Sequence, residues 1–179
     1  MQDCKPVSTP ISTGLKLGKD ENTEKVDTIL YRSLIGSLLY LTASRPDILL
    51  AVSLLSRFMH LPRETHFTAA KRVLRYIKGT STFGMFFAAI AGESLKLVGY
   101  CDSDWGGCIE DSRSTSGYLF SLGTSFFSWS SKKQETTAQS TAKAEYIATA
   151  SAVNQAIWLR KMLKDLQCEQ KDLHVSDRS

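Results

Sequence analysis

The hydrophobic period of this chain changes twice, and those changes confine it to helices, then strands, then one long helix. From Thr28 to Leu41 the apolar positions Leu30, Leu34, Ile35, Leu38, Leu39 and Leu41 recur at three and four residues, as one face of a helix does. Ser44-Arg45-Pro46-Asp47 breaks that run, and Pro46 can open a second helix in its first turn, where a missing N–H costs nothing. Ile48, Leu50, Val52, Leu54, Leu55, Phe58 and Met59 make this helix apolar almost all round, and it stops before Leu61-Pro62. A third helix is expected from Arg63 to Lys78, with Phe67, Ala70, Val73, Leu74 and Ile77 on one side and Lys71, Arg72, Arg75 and Lys78 elsewhere. Gly79 is placed to cap it.

At Ser81 the period becomes two. Phe83, Met85 and Phe87 alternate as in a strand, and beyond Ala91-Gly92 a second run, Leu95 to Tyr100, leads into Cys101-Asp102-Ser103-Asp104-Trp105 and ends at Gly106-Gly107. Ser116 to Leu122 and Ser125 to Trp129 are two further strands joined by a turn at Gly123-Thr124. From Ser140 the helical period returns through Ala144, Ile147, Ala148, Ala152, Ala156, Ile157, Leu159, Leu163 and Leu166 to about Cys168, with Ser140 or Thr141 as cap. A short strand from Leu173 to Ser176 ends in Asp177. This order predicts an α/β fold on a mixed sheet, organised as an extended arm or linker (1–27), a helical segment (28–80) and an α/β domain (81–179).

Composition narrows the function classes. With 42% hydrophobic residues in 179, the chain can bury a real core, and its net charge of +4 permits a polyanionic partner without demanding one. Cys4, Cys101, Cys108 and Cys168 contain no C-x-x-C pair and read as reduced thiols in core or surface positions. His60, His66 and His174 have no metal-ligand spacing and read as structural or surface residues. The polar start, with Pro6 and Pro10, lacks the apolar run of a secretion signal. Ile48 to Leu55 is too short to cross the roughly 30 Å of a bilayer. The expectation is a soluble protein of the cytoplasm or nucleus with no membrane partner.

Three carboxylates fall at suggestive places: Asp102 at a strand end, Glu145 in the first turns of the long helix, and Asp177 at the end of the last strand. A lone Asp at a strand end is commonly a turn or cap residue. If the three converge, their mutual repulsion calls for a divalent cation among them. Two Mg²⁺ ions about 4 Å apart could then activate water and stabilise the leaving oxygen of a phosphodiester.

The words around these positions decide between those readings. Tyr31-Arg32-Ser33-Leu34-Ile35-Gly36-Ser37-Leu38-Leu39-Tyr40-Leu41, Ser44-Arg45-Pro46-Asp47 and Lys71-Arg72-Val73-Leu74-Arg75-Tyr76-Ile77-Lys78-Gly79-Thr80 resemble the stretch after the polymerase core in copia-type retrotransposon Pol polyproteins. Gly99-Tyr100-Cys101-Asp102-Ser103-Asp104-Trp105, Asp111 to Tyr118, Ser128 to Gln134, Ala144-Glu145-Tyr146 and Trp158-Leu159-Arg160 resemble that family's ribonuclease H domain. The resemblance implies a small helical remnant of the polymerase connection region, followed by a C-terminally truncated ribonuclease H-like mixed sheet with a long helix. It implies Asp102, Glu145 and Asp177 as the catalytic and metal-binding set, with Mg²⁺ or Mn²⁺ as cofactor. The implied substrate is the RNA strand of an RNA–DNA hybrid, read through A-form shape and 2′-hydroxyls. Arg113, Lys132 and Lys133 are candidates to hold its phosphates.

Three departures from the family pattern argue for weak or absent cleavage. The polymerase carboxylates would lie before Met1, and the chain stops two residues beyond Asp177, ahead of the strands, helix and final acidic residue expected next. Lys143 stands where the family often has an acid, although residues two apart on a helix point away from one another. A sheet shortened in this way is expected to leave an edge that invites a partner to complete it.

Arg72-Val73-Leu74-Arg75 also spells the Arg-x-Leu-Arg word, which resembles the host-targeting signal of secreted oomycete effectors. That likeness implies secretion, entry into the host cytoplasm or nucleus, and suppression of immunity or cell death by binding a host protein without catalysis. The word lies later than usual, lacks a Glu-Glu-Arg sequel and also reads as one turn of a basic helix.

Overall fold

The computed structural model describes residues 3–19, 22–87, 95–170 and 174–177, with Asp177 described by its backbone alone. The chain divides into two compact units, Met1–Gly84 and Met85–Ser179.

The first unit is helical: α1 (Thr28–Leu41), a 3₁₀ turn (Pro46–Ile48), α2 (Leu49–Ser56) and α3 (Glu64–Gly79). Asp27 starts α1 by accepting from the Ile29 amide at 2.8 Å, which satisfies an otherwise orphaned N–H. The buried face of α1 is Tyr31, Ile35 and Leu38, packed against Ile48, Val52, Leu55 and Val73. Leu30 and Leu39, placed on that face by spacing alone, are half exposed instead. Tyr31 buries its ring and donates its hydroxyl to Leu55 O at 2.9 Å, and burial pushes the phenol pKa up.

The arm has no helix or strand of its own up to residue 19, but it is not free. Val7, Ile11 and Leu17 pack on the helical core. Buried His66 accepts from the Arg63 amide through Nδ1 and donates from Nε2 to Gly18 O, both at 3.0 Å, while its ring stacks on Phe58. Gly79 is the last residue of α3 and does not take the left-handed conformation of a glycine cap. It is needed because a Cβ there would meet Pro6 Cβ at 2.8 Å.

The second unit contains β1 (Leu97–Ser103), β2 (Thr115–Leu122), β3 (Ser125–Lys133), α4 (Thr141–Asp165) and β4 (His174–Asp177). The strand order is β3-β2-β1-β4, with β1, β2 and β3 antiparallel in sequence and β4 parallel to β1, so the sheet is mixed as expected. Gly123, at φ 62, fills the first position of the two-residue β2–β3 turn, where a type II′ turn asks for glycine. Ser140 caps α4 by accepting from the Lys143 amide. The stripe Ala144, Ala148, Ala152 and Ala156 is buried at four-residue spacing, so α4 lies close on the sheet, and Leu159 and Leu163 complete the face. Gln167 at φ 60, with Cys168 N–H donating to Leu163 O at 2.8 Å, closes the helix at Asp165, three residues earlier than its apolar pattern suggests.

One predicted element is absent. Residues 83–87 form no strand, and Phe83, Phe86 and Phe87 are exposed. Alternation marks a strand only where a neighbouring strand offers a ladder, and this segment instead meets the sheet through Ser125 Oγ donating to Phe86 O at 2.7 Å. The predicted break at residues 91–92 and Leu173 lie outside the described residues. No helix among the described residues is long and apolar enough to cross a membrane.

Candidate active site

The direction of α4 places the acidic positions. Thr149 Oγ1 lies 3.5 Å from Cys101 Sγ near the C-terminal end of β1. At the other end of that strand, the Leu97 amide donates at 2.9 Å to Gln170, which follows α4. The helix therefore runs antiparallel to β1, with its first turns over the C-terminal end of the strand. Glu145 is one turn before Thr149, on the same helical face, and is half-buried. Asp177 is next to β1 at the same end, its backbone in parallel register with Cys101.

Asp102 is also at this end, paired with Gly117 across the β1–β2 ladder, and it is exposed. Leu97, Gly99 and Cys101 form the buried face of β1 toward α4, so strand alternation assigns Asp102 to the opposite face. Among the described residues no group of three His, Cys, Asp or Glu side chains is placed to hold a metal. The structure thus gathers the three backbone positions at one end of the sheet, with Glu145 on the helix side and Asp102 on the other face of its strand.

Much of the surrounding text builds the scaffold of this end. Asp104 clamps the start of β2, its amide donating to Thr115 O at 3.1 Å and its carboxylate accepting from the Thr115 amide. Trp105 Nε1 donates to Ala138 O, and buried Ser114 accepts from the Gly106 amide. Gln134 closes the Ser128 to Gln134 word, and the sequence alone assigns it no role. Its Nε2 donates to Ser116 Oγ at 2.8 Å and to Ala144 O at 2.9 Å, which ties β2 to the turn carrying Glu145. A glutamine directly after a strand that ends in two lysines was the available signal.

The cationic candidates are unequal. Lys132 is exposed and pairs loosely with Glu135 at 3.4 Å. Lys133 Nζ lies 2.8 Å from Asp111 and donates to Cys108 Sγ at 3.0 Å, while Arg113 approaches the same Asp111 carboxylate at 3.4 Å. Lys133, through its hydrogen bond, brings the Asp111 carboxyl down to about 2. Lys133 and Arg113 would have to share Asp111 with any phosphate they held.

The Pol polyprotein of transposon RE1 from Arabidopsis thaliana is 43% identical over 166 residues, 93% of this chain and 11% of that protein. The Pol polyprotein of transposon TNT 1-94 from Nicotiana tabacum is 39% identical, over 98% of this chain and 14% of its own length. The chain belongs to the copia-type retrotransposon Pol family. It spans between 11% and 14% of those polyproteins' length. Secreted RxLR effector protein 161 from Plasmopara viticola is also similar, 49% identical over 130 residues that make up 72% of this chain and 90% of that protein. No protein-family model and no solved structure matches.

In this copia-type chain the Arg-x-Leu-Arg word is a turn of α3 with structural duties. Val73 is fully buried. Arg72 donates to Thr9 O and Thr9 Oγ1 at 3.2 and 2.9 Å, and Arg75 donates to Lys5 O at 2.7 Å, so both guanidinium groups hold the arm along the helix. The double variant Arg72→Ala/Arg75→Ala is expected to raise amide exchange across residues 5–11 by at least tenfold, with the amides of α1 unchanged, because the lost contacts are local. Unaltered exchange in residues 5–11 would show that apolar packing alone holds the arm.

Proposed function

We propose that the second unit is a ribonuclease H-type domain that engages an RNA–DNA hybrid and a divalent cation at the acidic end of its sheet, with only weak hydrolysis by this chain. The observation that carries this reading is the convergence of the C-terminal ends of parallel β1 and β4 with the first turns of α4, which brings Asp102, Glu145 and Asp177 to one end of the fold. An all-carboxylate donor set has the hard oxygen chemistry that Mg²⁺ and Mn²⁺ prefer. When bound, such an ion would supply water activation and neutralise charge on the phosphodiester.

The chain's own residues do the rest. Ser140 and Gln134 fix the first turns of α4 and hence the height of Glu145 above the strand ends. Asp104 and Trp105 fold the 104–115 loop back so that Asp102 stays at an open strand end. Lys132, exposed and held among the described residues only by its 3.4 Å pair with Glu135, is the cation best placed to meet a phosphate, a positioning role rather than a base-reading one. The separation of Asp102 from Glu145 by the strand supports weak rather than rapid turnover.

Mn²⁺ titration of the full chain by calorimetry, followed by incubation with a labelled RNA–DNA hybrid, tests this reading. Wild type is expected to bind Mn²⁺, and Asp102→Asn and Glu145→Gln are each expected to weaken that binding at least tenfold, because each replaces a carboxylate of the donor set and loss of an outer-shell partner alone already costs that much. No Mn²⁺ binding by wild type, or binding indifferent to both substitutions, would overturn the metal site. Rapid cleavage that Asp102→Asn abolishes would overturn the weak-hydrolysis half.

A second reading has its own support, since the chain covers 90% of a protein named as a secreted RxLR effector. In that reading the chain acts by binding a host protein, in the host cytoplasm or nucleus, and the acidic end is inherited scaffold. Expression in plant cells, scored for suppressed cell death, separates the two: a phenotype that survives Asp102→Asn/Glu145→Gln supports binding without catalysis.

A further inference from the structure

His60 and His174 are exposed, whereas His66 is fully buried in the first unit. Its two ring nitrogens have different work. Nδ1 accepts from the Arg63 amide at 3.0 Å, satisfying an N–H that the start of α3 cannot satisfy within the helix. Nε2 lies 3.0 Å from Gly18 O, and a carbonyl only accepts, so Nε2 carries the proton. A ring that accepts through one nitrogen and donates through the other is neutral. Protonation would turn Nδ1 into a second donor aimed at the Arg63 N–H, so that bond cannot persist. The face of Phe58, stacked 3.9 Å away, attracts a cation, but it restores neither an acceptor for the Arg63 amide nor water to a ring with no exposed surface. The segments around the ring carry the cations Lys19, next to Gly18, Arg57, next to Phe58, Arg63, one turn earlier on the chain, and Lys25, bridged to Arg63. They oppose a further positive charge on the ring. The acids of the same segments are Glu24 and Glu64, and Glu64 pairs with Lys71 at 3.4 Å.

We propose that His66 is a pH-sensitive latch on the arm: when the ring takes up a proton, the stretch from Leu15 to Lys19 leaves the helical core. The docked state requires the neutral ring and the released state does not, so release binds a proton. It is therefore favoured as pH falls through and below the ordinary histidine value of about 6.5. Leu17, which packs on the core one residue before Gly18, leaves with it and bares the apolar surface beneath. Residues 5–11 stay docked, because Arg72 and Arg75 hold Thr9 and Lys5 and keep their charge throughout this range. The device lies wholly in the first unit and does not depend on any nuclease activity in the second.

The test follows proton uptake through the His66 ring Cε1 proton by NMR, with exposed His60 as internal reference, and arm release through amide exchange of the same full chain, corrected at each pH for the intrinsic rate. Between about pH 7 and pH 5, the range in which histidine titrates, two amides are the reporters. The Arg63 amide, bonded to Nδ1, and the Leu15 amide, bonded to Ser12 O, are each expected to lose about tenfold or more in protection, in step with the ring. The Ile35 and Leu38 amides of α1 should keep theirs. His66→Gln offers Gly18 O an amide donor, His66→Asn offers the Arg63 amide an acceptor, and neither takes up a proton in this range. Protection in both variants should be flat with pH. Should a variant fail to fold, the coincidence of ring titration and exchange in wild type still decides the matter. Constant protection in wild type, a ring that takes up its proton with Leu15 still protected, an equal fall in both variants, or loss at Ile35 and Leu38 in step with Leu15 would each overturn the latch.

Discussion

Replacing Arg45 with alanine is expected to remove about 3–5 kcal/mol from the stability of the first unit, the scale for breaking a hydrogen-bonded charge pair with one partner buried. Arg45 is 7% exposed and makes four charge-assisted bonds: Nε to Asp47 Oδ1 at 2.9 Å, Nη2 to Asp47 Oδ2 at 2.7 Å, Nη1 to Thr80 O at 3.0 Å and Nη2 to Thr80 Oγ1 at 2.7 Å. Tyr76 adds its hydroxyl to Asp47 Oδ2 at 2.9 Å. One guanidinium thus joins the entry to α2 with the exit from α3. Alanine would strand the Thr80 carbonyl and leave Asp47 without its cation, and lysine cannot restore the planar fork. A fall in the urea midpoint of the first unit, followed by circular dichroism or by exchange of the α1 and α3 amides, checks this. A loss below 1 kcal/mol would mean that the pair is as replaceable as a surface ion pair.

The same pair sets a pH dependence. The Arg45 guanidinium holds the Asp47 carboxyl below its ordinary value, outweighing the upward push of burial. A carboxyl depressed on folding contributes stability that is present above its unfolded value, near 4, and is lost as pH falls through the folded value. Wild type should therefore lose stability in acid more steeply below about pH 4 than Arg45→Ala does, because the variant has already forfeited that contribution.

Helices α1, α3 and α4, the β2–β3 hairpin and the three antiparallel strands were legible because each writes a period into the sequence that its packing enforces. The legibility fails where the cause lies in another segment. Phe83, Met85 and Phe87 alternate but find no ladder, and alternation carries no information about a partner. Gly79 looks like a cap and is instead a clearance for Pro6, more than seventy residues earlier. The arm reads as linker because its polar residues hide the spacing of Val7, Ile11 and Leu17, which pack half-buried against the helices. At the acidic end the positions were legible but the faces were not. Asp102 and Cys101 are neighbours in one word, yet period-two geometry sends them to opposite sides of β1. Arg45, Asp104 and Gln134 sit in words that resemble a family, and their work there is to hold loops and helix ends.

The second large effect is expected at Gly99, where alanine should cost about 1–3 kcal/mol and valine more, the range for overpacking a close-packed core. Gly99 faces Phe120 across the β1–β2 pair, and a Cβ on it would lie 2.5 Å from one ring carbon of Phe120 and 3.0 and 3.2 Å from two others. Phe120 is fully buried beneath Ala152 and Ala156 of α4, so its ring cannot swing aside without lifting the helix. All three tryptophans, Trp105, Trp129 and Trp158, belong to the second unit, so tryptophan fluorescence isolates its unfolding from that of the first. Phe120→Leu alone should also destabilise, by removing ring atoms from the core. Combined with Gly99→Ala it should recover part of the loss, giving a coupling of 0.5 kcal/mol or more of the kind neighbouring core residues show. Strict additivity of the two changes would mean that the strand, not the ring, absorbs the new methyl. A lifted α4 would also carry Glu145 away from the strand ends, so, on the proposed metal site, Gly99→Ala should weaken Mn²⁺ binding although it adds no group to the acidic end. That loss should disappear in the Gly99→Ala/Phe120→Leu chain if helix height is what links the core to the site.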